Sequence, residues 1–263
     1  KQVALIRRTD DVQQLLVVDL EAKQSRVIQS VKQSSKYALD WVRWKDDDRL
    51  VVGATVELVA QGRAQTGQLM KRDDQVFHVS LVFATDSHGA NSVQMFQGQL
   101  GQLWGNLGST LLLDELPGDP GHVMISAFDV SGFGAWKADV MTGKVEQVAN
   151  GSLQTIDYTT DGVGYPVMRI DATANTKKLF RRASGGTDWI PAGEVRQSLV
   201  HDTPAFNVIG PGPGKNQVYV RARHNTDRAA LFLYDASTGG TTNMTQTVAA
   251  QNAVAVIDGI TVS

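Results

Sequence analysis

Three aspartates are the residues whose positions best suit chemistry in this 263-residue chain. Asp40, Asp114 and Asp157 each end or follow a short apolar run that is typical of a strand. Carboxylates that converge from neighbouring strands can act as general acid and base or hold a metal ion. That chemistry needs a fold that brings the three strands together. Whether the three carboxylates can act as one site therefore depends on the secondary-structure elements that carry them.

The common catalytic and cofactor motifs are missing from the sequence. No Gly-x-Ser-x-Gly occurs, and RRASGG around Ser184 has Arg182 where the first glycine should stand. GPGPGKN at 210–216 lacks the spaced first glycine and the Ser or Thr of a phosphate-binding loop, and no His-Glu-x-x-His or EF-hand loop is present. We therefore predict no catalytic, cofactor-binding or metal-binding residue in this chain.

The remaining candidates are better explained as turn or core residues. No two histidines have metal-ligand spacing, and His201 and Asp202 are adjacent, so on a strand they would point to opposite faces. The acidic runs 46–48 and 73–74 are expected to be solvated turns. Four tryptophans are predicted to pack between sheets, the first two of them on opposite faces of one strand: Trp41, Trp44, Trp136 and Trp189.

Composition narrows the classes of function. The 25 Lys and Arg residues against 27 Asp and Glu residues give a net charge of −2, which offers no basic surface for nucleic acid. Cysteine is absent, which excludes disulfides and thiolate sites. No apolar run is long enough for a membrane-spanning helix, and no signal peptide is visible. The chain looks cut at both ends, so the compartment stays open between the periplasm and the cytoplasm of a bacterium.

Short alternating apolar runs bounded by Gly, Asp, Asn and Pro predict strands joined by turns. A turn rich in Asp, Gly or Pro followed by an apolar strand recurs at intervals of 47, 73, 43 and 52 residues, close to the about 40 to 50 residues of a propeller blade in three cases. The long interval contains a polar insertion at 59–75, with Arg63, Lys71 and Arg72, and such loops are often functional. The aligned strands are those at Val3, Leu50, Val123, Pro166 and Val218, and Pro166 fits only as the first residue of its strand.

A second repeat is an Asp that ends a strand and opens a tight turn. It occurs in VVDLEAKQ (17–24), WKADVMTGK (136–144) and LYDASTGG (233–240), at Asp19, Asp139 and Asp235. Asp bonds to its own backbone and Gly supplies a positive φ, so we place these turns between the third and fourth strands of successive blades. We predict an all-β fold in which residues 1–263 form a single β-propeller domain or fragment. Its blades would be four-stranded and antiparallel, about six of them partly present from a parent of seven, with a β-sandwich as the alternative.

An ordered set of phrases carries a family resemblance. They are KQVALI at 1–6, ELPGDPGHVMIS at 115–126, YTTDGVGYPVMRID at 158–171, KKLFRRASGGTDW at 177–189, and the run from FNVIG to STGG at 206–240. Together they resemble the propeller domain of the prolyl oligopeptidase family of serine peptidases, in particular its bacterial dipeptidyl and acylaminoacyl peptidases. The resemblance implies an N-terminal propeller over a C-terminal α/β-hydrolase domain with a Ser-Asp-His triad. That hydrolase domain is absent from this chain, and the Glu-Glu pair of the family's aminopeptidases does not occur in it.

The resemblance makes substrate gating the leading functional hypothesis. The chain alone would be non-catalytic, and its partners would be the hydrolase domain of the same parent and the short peptides that pass the propeller. The alternative is a stand-alone propeller that acts as a binding or scaffold module. A third hypothesis is a propeller enzyme with Asp40, Asp114 and Asp157 in its channel. Strands exposed at the two ends are expected to pair with each other or with another copy.

Overall fold

The computed structural model describes residues 1–32, 35–60, 75–98, 110–129, 132–162, 164–182, 186–196, 206–214, 216–222, 229–243, 255–257 and 260–262. The chain divides into two compact units, Lys1–Val130 with Trp136–Glu146, and Ser131–Ala135 with Gln147–Ser263. Every regular element in these ranges is a β-strand. No helix in the described part of the chain is long and apolar enough to cross a membrane.

Five antiparallel sheets follow one another along the chain, and we call them blades 1 to 5. Blade 1 has three strands, β1 (Gln2–Arg8), β2 (Val12–Asp19) and β3 (Gln24–Lys32). Blade 2 has four, β4 (Tyr37–Trp44), β5 (Arg49–Ala60), β6 (Gln75–Asp86) and β7 (Val93–Gln94). Blade 3 has β8 (Leu111–Asp114), β9 (His122–Asp129), β10 (Gly132–Asp139) and β11 (Val145–Ala149).

The second half of the chain repeats this plan. Blade 4 has β12 (Thr155–Thr160), β13 (Pro166–Ala172), β14 (Thr176–Arg182) and β15 (Trp189–Arg196). Blade 5 has β16 (Phe206–Pro211), β17 (Gln217–Ala222), β18 (Ala230–Asp235) and β19 (Thr241–Asn243). A two-stranded sheet follows, with β20 (Ala255–Ile257) and β21 (Ile260–Val262).

Blade boundaries and strand order agree with the sequence prediction. Among the described residues, blade 1 has three strands and the last sheet has two, in agreement with the incomplete first and last units that the sequence pattern indicates. Pro166 is the first residue of β13, where its missing N–H costs no ladder bond inside the strand. The residue of blade 4 that corresponds to Leu50, Val123 and Val218 in the other blades is the fully buried Val167, one position after the Pro166 used in the sequence alignment of the repeats.

Three apolar clusters hold neighbouring blades together within each unit. One joins Leu15 and Val17 of blade 1 to Leu39 and Leu50 of blade 2. The second lies between blades 2 and 3, and the third lies between blades 4 and 5. A sheet in this fold buries both faces only by stacking on its neighbours. Strand β5 therefore carries apolar side chains on both faces, with Leu50 and Val52 in one cluster and Val51 in the other.

The Asp turns join the third strand of a blade to its outer strand. The carboxylate of Asp19 accepts from the N–H groups of Glu21 and Ala22, and that of Asp139 accepts from Met141 and Thr142, all at 2.7–2.9 Å. Asp235 caps its turn in the same way. The predicted role of the repeat is thereby confirmed, because it closes one connection in blades 1, 3 and 5.

Blade 2 contains a fourth Asp turn that the sequence pattern did not reveal. Asp86 ends β6 and accepts from the N–H groups of His88 and Ala90 at 2.9 and 2.8 Å. The connection that it closes has a different length and lacks the Asp-x-x-x-Gly spacing of Asp139 and Asp235. A spacing search therefore misses it although the carboxylate does the same work.

The Asp turns also make blade-closing backbone bonds. In each of the four blades the N–H of the residue after the Asp donates to the carbonyl of the residue that precedes the second strand. These pairs are Leu20 to Lys1, Ser87 to Asp48, Val140 to Gly121 and Ala236 to Asn216, at 2.8–2.9 Å. This hydrogen bond joins the residue just before the second strand to the turn just after the third strand. In these four blades it therefore links the two chain segments at the same end of the sheet.

Lys23 occupies the turn position that Gly143 and Gly239 hold in blades 3 and 5. Its φ is 53°, in the left-handed region, where the glycines have 72° and 80°. The left-handed conformation costs a residue with a Cβ about 1–2 kcal/mol of strain, and glycine has no such strain. Glycine does lose more backbone entropy on folding, which reduces the difference. We expect Lys23→Gly to raise the free energy of unfolding by about 0.5–1 kcal/mol in urea denaturation. Lys23→Ala is the control, and an equal gain from alanine would mean that charge, not backbone strain, is responsible.

The Asp turns should also make stability depend on pH. Backbone N–H donors in the turn lower the pKa of Asp19 below its usual 3.8, and the hydroxyl and N–H of Ser237 do the same for Asp235. Partial burial opposes this at Asp139, but its turn hydrogen bonds outweigh the burial and the pKa is again lowered. A lowered pKa contributes stability above the unfolded value that is lost as the pH falls. We expect the free energy of unfolding to decrease below about pH 4, and Asp139→Asn to reduce that decrease.

Candidate functional site

The inner strands of blades 2 to 5 share a β-bulge that determines where the candidate carboxylates lie. One extra residue interrupts the register with the second strand at Asp40, Leu113, Ile156 and Ile209. Asp114 and Asp157 are the residues that follow the bulge, whereas Asp40 is itself the extra residue. The three aspartates therefore do not hold one repeated position, and the expectation that all of them end or follow strands is wrong for Asp40 and Asp157, which lie inside β4 and β12.

Each of these carboxylates is used locally. Asp40 accepts from the hydroxyl of Thr55 at 2.7 Å, Asp114 from the N–H of Leu116 at 2.8 Å, and Asp157 from the N–H of Tyr158 at 2.8 Å. The Asp157 side chain keeps contact with solvent, but protein packed around its carboxylate removes hydration and raises the pKa. No group of three or more His, Asp or Glu side chains in the described ranges could hold a metal ion.

A Ser, a His and an Asp meet at the Asp turn of blade 2. The hydroxyl of Ser87 donates to Asp48, lies 3.1 Å from Nδ1 of His88, and His88 Nδ1 is 3.8 Å from the same Asp48 oxygen. A catalytic triad places the imidazole between serine and carboxylate, with a different ring nitrogen toward each. Here both contacts of the imidazole use Nδ1, and the serine hydroxyl donates its hydrogen bond directly to the carboxylate instead of to the imidazole. Ser87 is only 3% exposed, so its hydroxyl is not accessible to a substrate, and the cluster stabilises the turn.

A second charged cluster lies on the connection between β8 and β9. Asp119 accepts from Lys137 Nζ at 2.6 Å and lies 2.9 Å from His122 Nδ1. Lys137 and then His122 lower the pKa of the Asp119 carboxyl far below its usual range. Among the described residues no hydroxyl contacts this carboxylate, so the cluster holds the connection against β10 and places no nucleophile there.

Three of the four tryptophans pack between blades as the sequence predicts, whereas Trp189 belongs to none of the three core clusters. Trp41 lies against the cluster between blades 2 and 3, and Trp44 lies against the cluster between blades 1 and 2, on the opposite face of β4. Trp136 is 5% exposed in the former cluster and meets Phe96 edge to face. Trp189 is half-buried, and its indole N–H donates to the carbonyl of Asn150 at 3.3 Å.

Blade 4 contains an arginine–aromatic stack that the sequence analysis missed. Arg169 lies 4.5 Å from the ring centroid of Phe180 and 5.2 Å from that of Trp189. Arg182 lies 5.1 Å from the ring centroid of Trp189 and 5.0 Å from that of Tyr165. The stack forms because cross-strand pairing brings Arg169 opposite Phe180 and Arg182 opposite Trp189. Such pairs contribute about 0.5–2 kcal/mol each, so the stack stabilises blade 4.

Several sequence candidates lie outside the described residues. They are Ser184, the pair His201 and Asp202, the acidic run 73–74, and most of the insertion at 59–75 with Arg63, Lys71 and Arg72. The described strands do fix the position of the insertion. Ala60 pairs with Gln75 at the end of the β5–β6 ladder, so the insertion joins two adjacent strands of blade 2, as predicted.

Comparison with solved structures identifies the fold. The structure of Porphyromonas gingivalis dipeptidyl peptidase 4 matches 92% of this chain at a TM-score of 0.54 and 8% identity, with 37% of that protein covered. An acylaminoacyl peptidase in complex with Z-Gly-Gly-Phe-chloromethyl ketone matches 92% at a TM-score of 0.46 and 12% identity, with 36% covered. The β-propeller domain of the trilobed protease from Pyrococcus furiosus matches 92% at a TM-score of 0.41 and 13% identity, with 65% covered.

The chain has the β-propeller fold, built from consecutive antiparallel blades of up to four strands. It spans only about a third of the length of the first two peptidases that it matches. No protein-family model matches the sequence, and no curated protein matches it. The likeness at 8% identity is one of fold, and a fold alone does not determine function.

Proposed function

We propose that this chain is the propeller domain of a prolyl oligopeptidase-like serine peptidase, that it gates access of substrate, and that it is non-catalytic on its own. The observation that carries the proposal is the fold match over 92% of this chain to just 37% of a dipeptidyl peptidase structure. The ordered sequence phrases point to the same family and were found independently of the fold. In this proposal the catalytic domain and its triad are supplied by other residues of the parent protein.

The chemistry of the described residues supports a non-catalytic role. The carboxylates on inner strands are bonded within their own blades, and the Ser87 cluster has the wrong arrangement for acyl transfer. Gating needs no such chemistry. A propeller whose blades are closed by their own backbone can restrict the size and shape of what passes, admitting short peptides and excluding folded proteins.

Absence of activity in the isolated chain is the first expected result. We expect purified chain neither to hydrolyse aminoacyl or peptidyl amides above a mock preparation nor to react with a fluorophosphonate probe, because no serine in the described part of the chain has a triad geometry that would activate it. Ser87→Ala is the matched control. Hydrolysis or labelling that disappears in Ser87→Ala would contradict the proposal and assign catalysis to the turn of blade 2.

The gating role is tested on the parent gene. We expect about 250 further residues beyond Ser263, with Gly-x-Ser-x-Gly followed by Asp and then His. With that parent in hand, removal of the propeller should leave hydrolysis of a dipeptide amide and add hydrolysis of an unfolded polypeptide. A stop codon soon after Ser263 would remove the peptidase from the proposal and favour the binding or scaffold module.

A further inference from the structure

The connection between β11 and β12 contains the only Asn-Gly pair in the sequence, Asn150 and Gly151. An asparagine followed by glycine can lose ammonia without an enzyme, because the next backbone nitrogen can attack the side-chain amide carbon and no Cβ hinders its approach. Most backbone N–H groups in a folded protein are hydrogen-bonded, which withdraws them from such an attack. The reactivity of Asn150 therefore depends on whether the fold bonds its amide and the N–H of Gly151.

The two reactive groups have no hydrogen-bond partner in the part of the chain that the structure describes. Asn150 is exposed, and its side-chain amide bonds to none of the described residues. The N–H of Gly151 likewise donates to none of them. The carbonyl of Asn150 accepts from the indole N–H of Trp189 at 3.3 Å. A trans peptide directs its N–H opposite to its C=O, so this bond turns the Gly151 N–H away from Trp189.

The chain is held in place on both sides of this pair. The carbonyl of Val148 accepts from Nη1 of Arg182 at 3.1 Å. The carbonyl of Ser152 accepts from the N–H of Phe133 at 3.3 Å. The connection is therefore anchored before and after the pair, and the folded chain still leaves the Asn150 amide and the next N–H available to each other.

We propose that Asn150 is a site of spontaneous deamidation in the folded protein. The Gly151 nitrogen attacks Cγ of Asn150, the new N–Cγ bond closes a five-membered succinimide ring, and the Cγ–Nδ2 bond breaks. Nδ2 leaves as ammonia with the proton of the Gly151 N–H. Water then opens the ring at Cγ to give aspartate, or at the main-chain carbonyl carbon to give isoaspartate. Each product replaces a neutral amide by a carboxylate, and the inference does not depend on the proposed function.

The test compares the whole folded chain with a synthetic peptide of residues 147–153 at the same mildly alkaline pH, with peptide mass spectrometry as the readout. We expect Asn150 in the folded chain to deamidate within about fivefold of the peptide rate, since no hydrogen bond has to open first. Asn91 is the internal control. It is also exposed, but its amide donates to Asp86 at 3.0 Å and Ser92 follows it. We expect deamidation at Asn91 to be at least about tenfold slower.

Asn150→Gln is the matched variant, because its longer side chain would have to close a six-membered ring, and we expect no ammonia loss at that position over the same time. Gly151→Ala is unsuitable, since an added Cβ would overlap the carbonyl oxygen of Phe133. A folded-state rate more than about fivefold below the peptide rate would overturn the proposal, because it would mean that folding protects the site. Equal rates at Asn91 and Asn150 would overturn it too, since the free groups at Asn150 would then confer no reactivity.

Discussion

Arg49→Met should lower the free energy of unfolding by about 3 kcal/mol. The Arg49 side chain is 4% exposed, and its guanidinium crosses from blade 2 to the Asp turn of blade 3. Nε donates to the carbonyl of Val140 at 3.0 Å, Nη2 donates to the same oxygen, and Nη1 donates to the carbonyl of Asn91 at 3.0 Å. Methionine fills the space but leaves these carbonyls without their donor, at about 1–3 kcal/mol for each buried group.

Arg26→Met is the matched control for this contact. Arg26 makes the equivalent bond from blade 1 to blade 2, donating to the carbonyl of Ser87 at 3.1 Å, but its side chain is exposed. Water can replace it there, so we expect a loss below about 1 kcal/mol. Urea denaturation of both variants measures the two values. Equal losses would show that the blade-to-blade arginine contributes through its charge and not through buried hydrogen bonds.

Gly143→Ala is expected to be the other strongly destabilising change. Gly143 has a φ of 72°, and a Cβ on it would lie 2.2 Å from the backbone carbonyl oxygen of Gln94. The backbone of the Asp turn and that of the β7 segment would have to separate, because no flexible side chain can move aside. The left-handed backbone costs about 1–2 kcal/mol and the overpacking about 1–3 kcal/mol more. We expect a total loss of about 3 kcal/mol in the free energy of unfolding.

Gly239→Ala separates the two contributions. Gly239 holds the same turn position in blade 5 with a φ of 80°, but the nearest atom to an added Cβ is 3.7 Å away. Only the backbone cost remains, so we expect a loss of about 1 kcal/mol. Thermal and urea denaturation of the two variants give the comparison. A Gly143 variant no less stable than the Gly239 variant would refute the close approach of Gln94 to the turn.

Local sequence determined the blades. Alternating apolar residues set the strands, and Asp with a following Gly set the turns at Asp139 and Asp235, because these choices depend on residues a few positions apart. Pro166 likewise fixed the start of its strand through its missing N–H. The same reasoning correctly placed Trp41 and Trp44 on opposite faces, since side chains alternate along a strand.

Tertiary structure decided what those strands bring together. The bulge at each inner strand is a mismatch in pairing, and no single strand encodes it, so the three candidate aspartates looked equivalent in sequence and are not. Arg49 and Val140 are 91 positions apart in the sequence, and the Arg49 side chain can donate to the Val140 carbonyl only because the two blades stack. The guanidinium is buried beside the Val140 carbonyl because blades 2 and 3 stack there, and residue spacing along one strand does not encode that contact.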